Sequence, residues 1–588
     1  MRKKAKLYKI TSKIVFYAFQ SSSKSMSILI LVAVLLAVIG GINILVTENV
    51  FNSVASISQD NTFKRAILSI LLFLVVMLSQ EVLNGILNYK TEVMNLRIKS
   101  FLSQKIIKKI DSLDLLYFEN PENLDKLNKS KIGLEYAFSL ALTMIMIVIF
   151  YGLFWFITAW YLYLLNPILI LAVVFIFIPK LVTVLSKASI YANLEERTAP
   201  LRRESLAYYD AIVSRDFFKE TRLLGAYSFF KEKFLTTLLI WNKEIWKVNV
   251  KTTTFEVFMS VLTAIGYIGT LYLLYLSLRQ GSITIGAFAA VFNNIAFLVS
   301  SMNEMICERL GYANEMVGKV TNFVQFIEES EPTLNKENIN WKEDIVLKNI
   351  SFRYPNTEKN VFSNINLTIK VGETLAIVGE NGAGKSTLTK VLIGLYKPID
   401  GNIIVGNQSI QEIDKKNLYD GVSALFQKFQ KYQMTLKENV EISSDYSNYN
   451  VLQTIKKVGI DLTSKAYPNK EDTMLSLEFD GIDISGGQWQ RVAIARSIYR
   501  YHDIIILDEP TSAIDPIEES SLYNLFAEIA VDKTAIIVTH RLGLTKIADR
   551  IIVMDKGNIV EIGTHQELLK QNRLYASMYK SQSDLYNV

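Results

Sequence analysis

The sequence predicts a chain of two parts, an all-α membrane domain of six transmembrane helices followed by an α/β domain that binds a nucleoside triphosphate. Three observations predict it. Apolar runs long enough to cross a bilayer recur through the first half, short β-rich runs alternate with helical ones in the second, and one turn there reads Gly379-Glu-Asn-Gly-Ala-Gly-Lys-Ser-Thr387. Composition agrees: 50% of the 588 residues are hydrophobic, too many for an ordinary soluble enzyme, while 20% are charged, too many for a chain lying wholly in lipid. The mean hydropathy is +0.22. The net charge of +6 does not call for a nucleic-acid partner, because Arg2, Lys3, Lys4, Lys6, Lys9, Lys13 and Lys24 crowd an N-terminal arm without acids. Basic flanks of this kind stay on the cytoplasmic side of a membrane. The single cysteine, Cys307, excludes an intrachain disulfide and any multi-cysteine zinc or redox motif.

The first apolar run, 26–46, has the length of a span and a core too long for a signal peptide. The second, 66–86, returns after a loop holding Glu48, Asp60, Lys64 and Arg65. From 136 to 179 no residue is charged, which is more than one span needs, so two helices joined by a tight turn are expected at 136–157 and 166–185. Asn166-Pro167 has the pattern of an N-cap followed by proline in the first turn, and Trp155, Trp160, Tyr161 and Tyr163 suit the outer interface. The last pair is expected at 255–278 and 284–306, giving a membrane domain over 1–325 with both ends in the cytoplasm. Between spans two and three, and between four and five, long polar stretches keep helical spacing and read as cytoplasmic extensions. Each holds one candidate contact element, at 115–122, where Asn120-Pro121 breaks the helix, and at 214–222.

Composition shifts to Glu, Asn, Lys and Pro332 over the linker 326–343, and the α/β domain follows over 344–588. Strands are expected at 345–354, 366–371, 374–378, 504–507, 535–538, 551–554 and 558–562. The turn after 374–378 fits G-x-x-x-x-G-K-[ST] between a strand and a helix over 385–396, the setting a phosphate loop requires. Gly379, Gly382 and Gly384 let the amides of a loop that also contains Glu380, Asn381, Ala383 and Thr387 turn inward around phosphate oxygens. Lys385 reaches the β- and γ-phosphates and the Ser386 hydroxyl ligates Mg²⁺. Open α/β sheets bind ligands at their carboxyl edges, and several chemical residues stand there. Asp508 is placed to orient Mg²⁺, Glu509 to polarise water as general base, Gln427 to touch metal and water, and His540 to hold the γ-phosphate.

Ile484-Ser-Gly-Gly-Gln-Trp-Gln-Arg491 decides the family. Here the chain resembles the ATP-binding cassette (ABC) transporters, matching their LSGGQ signature with Ile484 in place of Leu. The resemblance runs in order through Tyr354 in FRYP, the phosphate loop, Gln427 in ALFQ, the signature, IIILDEP at 504–510, Ser512-Ala-Ile-Asp515 in place of SALD, and VTHR at 538–541. It implies six membrane helices fused to an α/β P-loop ATPase domain of the ABC type. It also implies that each ATP lies between one phosphate loop and Ser485, Gly486, Gly487 and Gln488 of a second subunit, with Tyr354 stacked on adenine. The elements at 115–122 and 214–222 become coupling helices that dock on the cassettes near Gln427. The second subunit is expected to be another copy of the chain, a heterodimer being the other option; ATP and Mg²⁺ are the cofactors, and membrane lipids surround the spans.

The tryptophan in SGGQWQ and the absence of an N-terminal peptidase domain make the chain similar to bacterial exporters of lantibiotics and related antimicrobial peptides. Export of such a peptide across the cytoplasmic membrane is therefore the expected function. The alternatives are a multidrug exporter or lipid flippase, and a membrane ATPase that senses without moving cargo. Asn293 and Asn294 in the sixth span, with Asn303, Glu304 and Glu308 near its inner end, are candidates for a substrate cavity. Glu304 and Glu308 stand one turn apart, where they either attract a cationic peptide or pair with Arg309 or other bases.

Overall fold

A computed structural model describes residues 2–56, 63–329, 335, 337–442, 450–510 and 516–586; side chains are described for these except 2–8, 188, 189, 192, 196, 215, 296, 303, 306–308, 314, 315, 516–520 and 584–586. Ser512-Ala-Ile-Asp515, Pro332 and Asp60 lie outside the described residues, as do the side chains of Asn303, Cys307 and Glu308. The chain divides into two compact units, Met1–Ile110 with Lys126–Glu329, and Asp111–Asp125 with Ser330–Val588.

In the first unit α1 (Arg2–Ser21) leads to α2 (Ser23–Ala55) and α3 (Phe63–Asp111); α4 (Leu115–Glu119) belongs to the second unit, and α5 (Pro121–Ile145) brings the chain back to the first. There follow α6 (Gly152–Leu165), α7 (Pro167–Val213), α8 (Arg215–Leu223), α9 (Tyr227–Arg279), α10 (Ile285–Asn303) and α11 (Gly311–Glu328). Six helical stretches among the described residues are long and apolar enough to cross a membrane. They overlap the six apolar runs of the sequence, but three of the helices that carry them run well beyond the apolar part. The longest, α9, has 53 residues, about 80 Å at 1.5 Å per residue. At the turn between α6 and α7 the Asn166 side chain accepts from the Ile168 amide at 3.0 Å, and Pro167 opens the helix, so the cap read from sequence forms. The polar ends of α7 and α9 are tied together by the Lys187–Glu256 ion pair and by Tyr191, whose hydroxyl donates to Asn249 at 2.8 Å.

Among the described residues two short segments are π-helical, Met146–Tyr151 between α5 and α6 and Glu304–Leu310 after α10. A π-turn bonds residue i to i+5, so residues five apart come to lie over one another. That register lets Arg309 donate to Glu304 Oε1 through Nη2 at 2.7 Å and Nε at 3.1 Å, and the same Nε lies 3.3 Å from the Tyr151 hydroxyl.

The described residues of the second unit form two sheets. The strands are β1 (Ile345–Phe352), β2 (Phe362–Ile369), β3 (Thr374–Gly379), β4 (Asp400–Val405), β5 (Gln408–Ser409), β6 (Val422–Leu425), β7 (Ile504–Asp508), β8 (Thr534–Val538), β9 (Arg550–Asp555) and β10 (Asn558–Gly563). One sheet is antiparallel, in the order β2-β1-β4-β5. The other runs β10-β9-β3-β8-β7-β6, parallel except at the β10 edge. β3, β7 and β8 are buried along their whole length, which explains their unbroken Ile, Leu and Val runs. Three strands were not among those expected: β4, β5 and β6. α12 (Lys385–Leu392) ends earlier than its apolar spacing suggests, because Gly394 turns the chain at φ +72°.

Segment 111–125 leaves the helical unit to fold with the cassette. Lys415 pairs with Asp114 at 2.8 Å and donates to the Leu113 carbonyl, and Asn356 donates to Asn120 at 3.4 Å. Leu116 packs against the core of the cassette. Asn120 explains the break read from sequence: its side chain accepts from the Glu122 amide at 2.9 Å, and Pro121 opens α5.

Candidate functional site

Adjacent parallel strands β3, β8, β7 and β6 bring four chemistries to one edge of the sheet. The phosphate loop follows β3, His540 follows β8, Asp508 and Glu509 end β7, and Gln427 follows β6. Between them lies a cavity of about 600 Å³, lined by phosphate-loop residues on one side and by Gln427, Glu509 and His540 on the other.

The loop has the backbone that its glycines allow. Gly379, Gly382 and Gly384 have φ of +151°, +81° and +98°. A Cβ at Gly379 would meet the Met554 carbonyl oxygen at 2.1 Å, so no larger residue fits there. Lys385 is buried and donates to the carbonyls of Gly379 and Glu380, each at 2.8 Å. Burial pushes its ammonium below the ordinary lysine range, against the opposing pull of Glu509 and Asp508, so an anion beside it would be strongly favoured. Ser386 donates to Asp508 Oδ1 at 2.9 Å. Burial raises the Asp508 carboxyl above its usual value and Glu509 adds to this, while the Ser386 hydrogen bond opposes it. A cation would relieve that cost.

Glu509 takes a positive φ of +50°, uncommon for a residue other than glycine, and is held by its amide, which donates to the Val538 carbonyl at 2.9 Å. Its side chain is 11% exposed. Gln427 Nε2 donates to Glu509 Oε2 at 2.6 Å, and His540 Nδ1 lies 3.2 Å from Oε1. Both oxygens of the candidate base are thus oriented by residues predicted for the same site. Tyr354 lies at the other end of the phosphate loop, its hydroxyl 3.0 Å from Thr387 Oγ1.

Ser485, Gly486, Gly487 and Gln488 are not among the residues lining this cavity. They start the helix Gly486–Tyr499 with a reciprocal cap, in which the Gln488 amide donates to Ser485 Oγ at 3.3 Å and the Ser485 amide to Gln488 Oε1 at 3.0 Å. Glu304 is engaged by Arg309, the second of the two options left by sequence, and Asn294 donates back to the Ala290 carbonyl of its own helix at 2.8 Å. Asn293 is exposed. Sequence reading missed Gln490, buried, whose amide donates to the Pro510 carbonyl at 2.6 Å and fixes the turn after Glu509. Its one signal was a position two residues past Gln488 in the signature.

A phosphate loop, a carboxylate pair at a strand end and six apolar helices define a membrane-embedded ATPase. Residues 362–512 match the family model described as ABC transporter. The subtilin transport ATP-binding protein SpaT of Bacillus subtilis is 30% identical over 554 residues, covering 92% of this chain and 89% of its own. The nisin transport ATP-binding protein NisT of Lactococcus lactis subsp. lactis is 27% identical over 536 residues, 87% of each chain. The ATP-dependent lipid A-core flippase of Photobacterium profundum is 31% identical over 306 residues, 52% of each. A solved structure described as a bacterial Atm1-family ABC exporter with ATP bound superposes with a TM-score of 0.79 at 20% identity, covering 94% of this chain and 98% of that one. The chain belongs to the ABC transporter family. It is an exporter of the membrane whose C-terminal domain couples ATP hydrolysis to transport.

Proposed function

We propose that this exporter moves a lantibiotic-type peptide outward across the bacterial cytoplasmic membrane, as a homodimer working by alternating access. One observation carries the choice of cargo: the relatives named for subtilin and nisin transport align along 92% and 87% of the chain, whereas the flippase aligns along 52%. The basic arm before α2 supports cytoplasmic termini.

In the proposed cycle Tyr354 stacks on adenine, the loop amides with Lys385 and Thr387 cradle the phosphates, and Glu509 takes the proton of the attacking water. Gln427 and His540 aim the Glu509 carboxylate. Ser485, Gly486 and Gly487 of a second copy close the site, a helix N-terminus being a ready anion partner; that they line no part of this chain's own cavity supports a composite site. Closing two cassettes around ATP favours the outward-open state, and release of products restores the other. The Ser386 hydroxyl, the Asp508 carboxylate and the Gln427 amide are hard oxygen donors that fit Mg²⁺, an ion that takes one or two carboxylates and completes its shell from phosphate and water. Mg²⁺ would neutralise phosphate charge there.

A lipid flippase or multidrug exporter is the second reading, favoured by the 31% identity to the flippase. Proteoliposomes separate them. A cationic lantibiotic precursor should raise ATP hydrolysis and accumulate inside vesicles whose transporters face cassette-outward. Stimulation by lipids or hydrophobic drugs alone, with no peptide uptake, would overturn the peptide reading.

A further inference from the structure

Tyr396 has no part in the roles above, yet only 1% of it is exposed. It lies just past α12, where Gly394 turns the chain and the amides of Leu395 and Tyr396 both donate to the Lys390 carbonyl, at 2.9 and 3.2 Å. The turn drives the ring inward. It stacks on Phe352 with centroids 5.4 Å apart and planes 5° from parallel, and meets Tyr354 edge-on at 5.7 Å and 79°.

Its hydroxyl donates to Glu119 Oε1 at 2.6 Å. Glu119 ends α4, in the segment that folds with the cassette and is anchored separately by the Lys415–Asp114 pair. Burial, and then the Glu119 carboxylate, push the Tyr396 phenol above its ordinary pKa, so it stays a donor throughout the working range. On the far side of Tyr354 stands Thr387, at 3.0 Å. Glu119, Tyr396, Tyr354 and Thr387 therefore form one continuous line from the end of α4 to the phosphate loop.

We propose that Tyr396 is a positioning residue for the nucleotide: its hydroxyl, held by Glu119, fixes the Tyr354 ring at the angle that receives adenine. Segment 111–125 thereby sets ATP affinity rather than the rate of bond cleavage. This rests on the reading of Tyr354 as the adenine platform. The physical ground is preorganisation, since a ring already immobile in its stacking pose loses less freedom on binding. Glu119 is exposed, so water can replace the phenol as its donor when the hydroxyl is removed, and phenylalanine at 396 keeps the stack on Phe352.

The test is ATP hydrolysis by the full-length protein in lipid nanodiscs at varied ATP. Tyr396→Phe should raise the KM for ATP about three- to tenfold, part of the value of a stacking contact, with kcat within about twofold. Glu119→Ala should do the same. Glu119→Gln, which keeps an acceptor, should stay near wild type. In a Tyr354→Leu background, Tyr396→Phe should add nothing, since the two then act through one contact. If Tyr354→Leu raises KM while Tyr396→Phe and Glu119→Ala do not, the inference falls and the adenine reading stands. An equal rise from Tyr396→Phe with or without Tyr354 would assign Tyr396 to core packing and overturn it. An unchanged KM in Tyr354→Leu would overturn the adenine reading itself, and the inference with it.

Discussion

Gln427 donates to Glu509 at 2.6 Å, and the carboxylate it holds sits on a residue with a backbone φ of +50°. A carboxylate held on both oxygens at the end of a buried strand loses little freedom when a water molecule arrives beside it. Glu509→Gln removes the proposed base but keeps the shape, so ATP should still bind while turnover falls by about 10²–10⁴-fold. Gln427→Ala should cost less, because His540 still holds one oxygen. Equilibrium nucleotide binding alongside steady-state phosphate release checks both, and wild-type turnover by Glu509→Gln would remove Glu509 as the base.

The signature lies on the cap of its own helix, apart from the cavity of its own chain. A composite site therefore makes a prediction about mixed dimers. Copies carrying Lys385→Ala alone, or Ser485→Arg alone, should each be inactive. Mixing the two should restore hydrolysis, because the paired lesions fall in one site and leave the other whole. Tagged co-purification of the mixed dimer followed by an ATPase assay reads this out; a mixed dimer as inactive as its parents would argue that each chain closes its own site.

The site was more legible in sequence than the surroundings that tune it. The phosphate loop could be read because its chemistry is contiguous, and Asp508 and Glu509 because they end an apolar run. Which oxygen of Glu509 meets Gln427 depends on β6 lying beside β7, a pairing between residues 82 positions apart that no local pattern carries. β4 was missed although Ile403, Ile404 and Val405 suit a strand, because its partner β1 is distant and the run is short. In the membrane unit, apolar length located the spans, but hydropathy does not register a π-turn. Sequence alone therefore leaves the Glu304–Arg309 pair as one of two options, and the five-residue register of the π-turn selects it.

Gly133 on α5 faces α11 so closely that a Cβ would lie 2.2 Å from the Lys319 carbonyl oxygen and 2.9 Å from Phe323 Cβ. Phe323 is fully buried, so the neighbour cannot swing away. Gly133→Ala should therefore force the helices apart and destabilise the unit by about 1–3 kcal/mol. Gly85 on α3 has nothing within 4 Å of the equivalent position. Gly85→Ala should instead stabilise its helix by about 0.5–1 kcal/mol. Thermal unfolding in detergent should show opposite shifts for the two substitutions; a lowered Tm for both would mean that helix propensity and space do not decide the sign here.

His502 is 1% exposed, and its two ring nitrogens are both engaged. Nδ1 lies 2.7 Å from the Arg500 carbonyl, which only accepts, so the proton is on Nδ1; Nε2 is left to accept from the Lys533 ammonium at 3.0 Å. Burial lowers its pKa from 6.5 to about 4, with the Lys533 charge acting in the same direction and the Arg500 carbonyl against it. The folded imidazole therefore stays neutral where the unfolded one already takes a proton. Its contribution to stability is complete above the unfolded value of 6.5 and is lost as pH falls towards the folded value of about 4. By one pH unit below the unfolded value the loss should be about 1 kcal/mol. His502→Asn removes the titration, so its Tm should fall less than the wild type's between neutral and mildly acidic pH, whatever its stability at neutral pH. Thermal unfolding of the two proteins across that range measures the slopes, and equal slopes would show that other groups carry the acid sensitivity of the cassette.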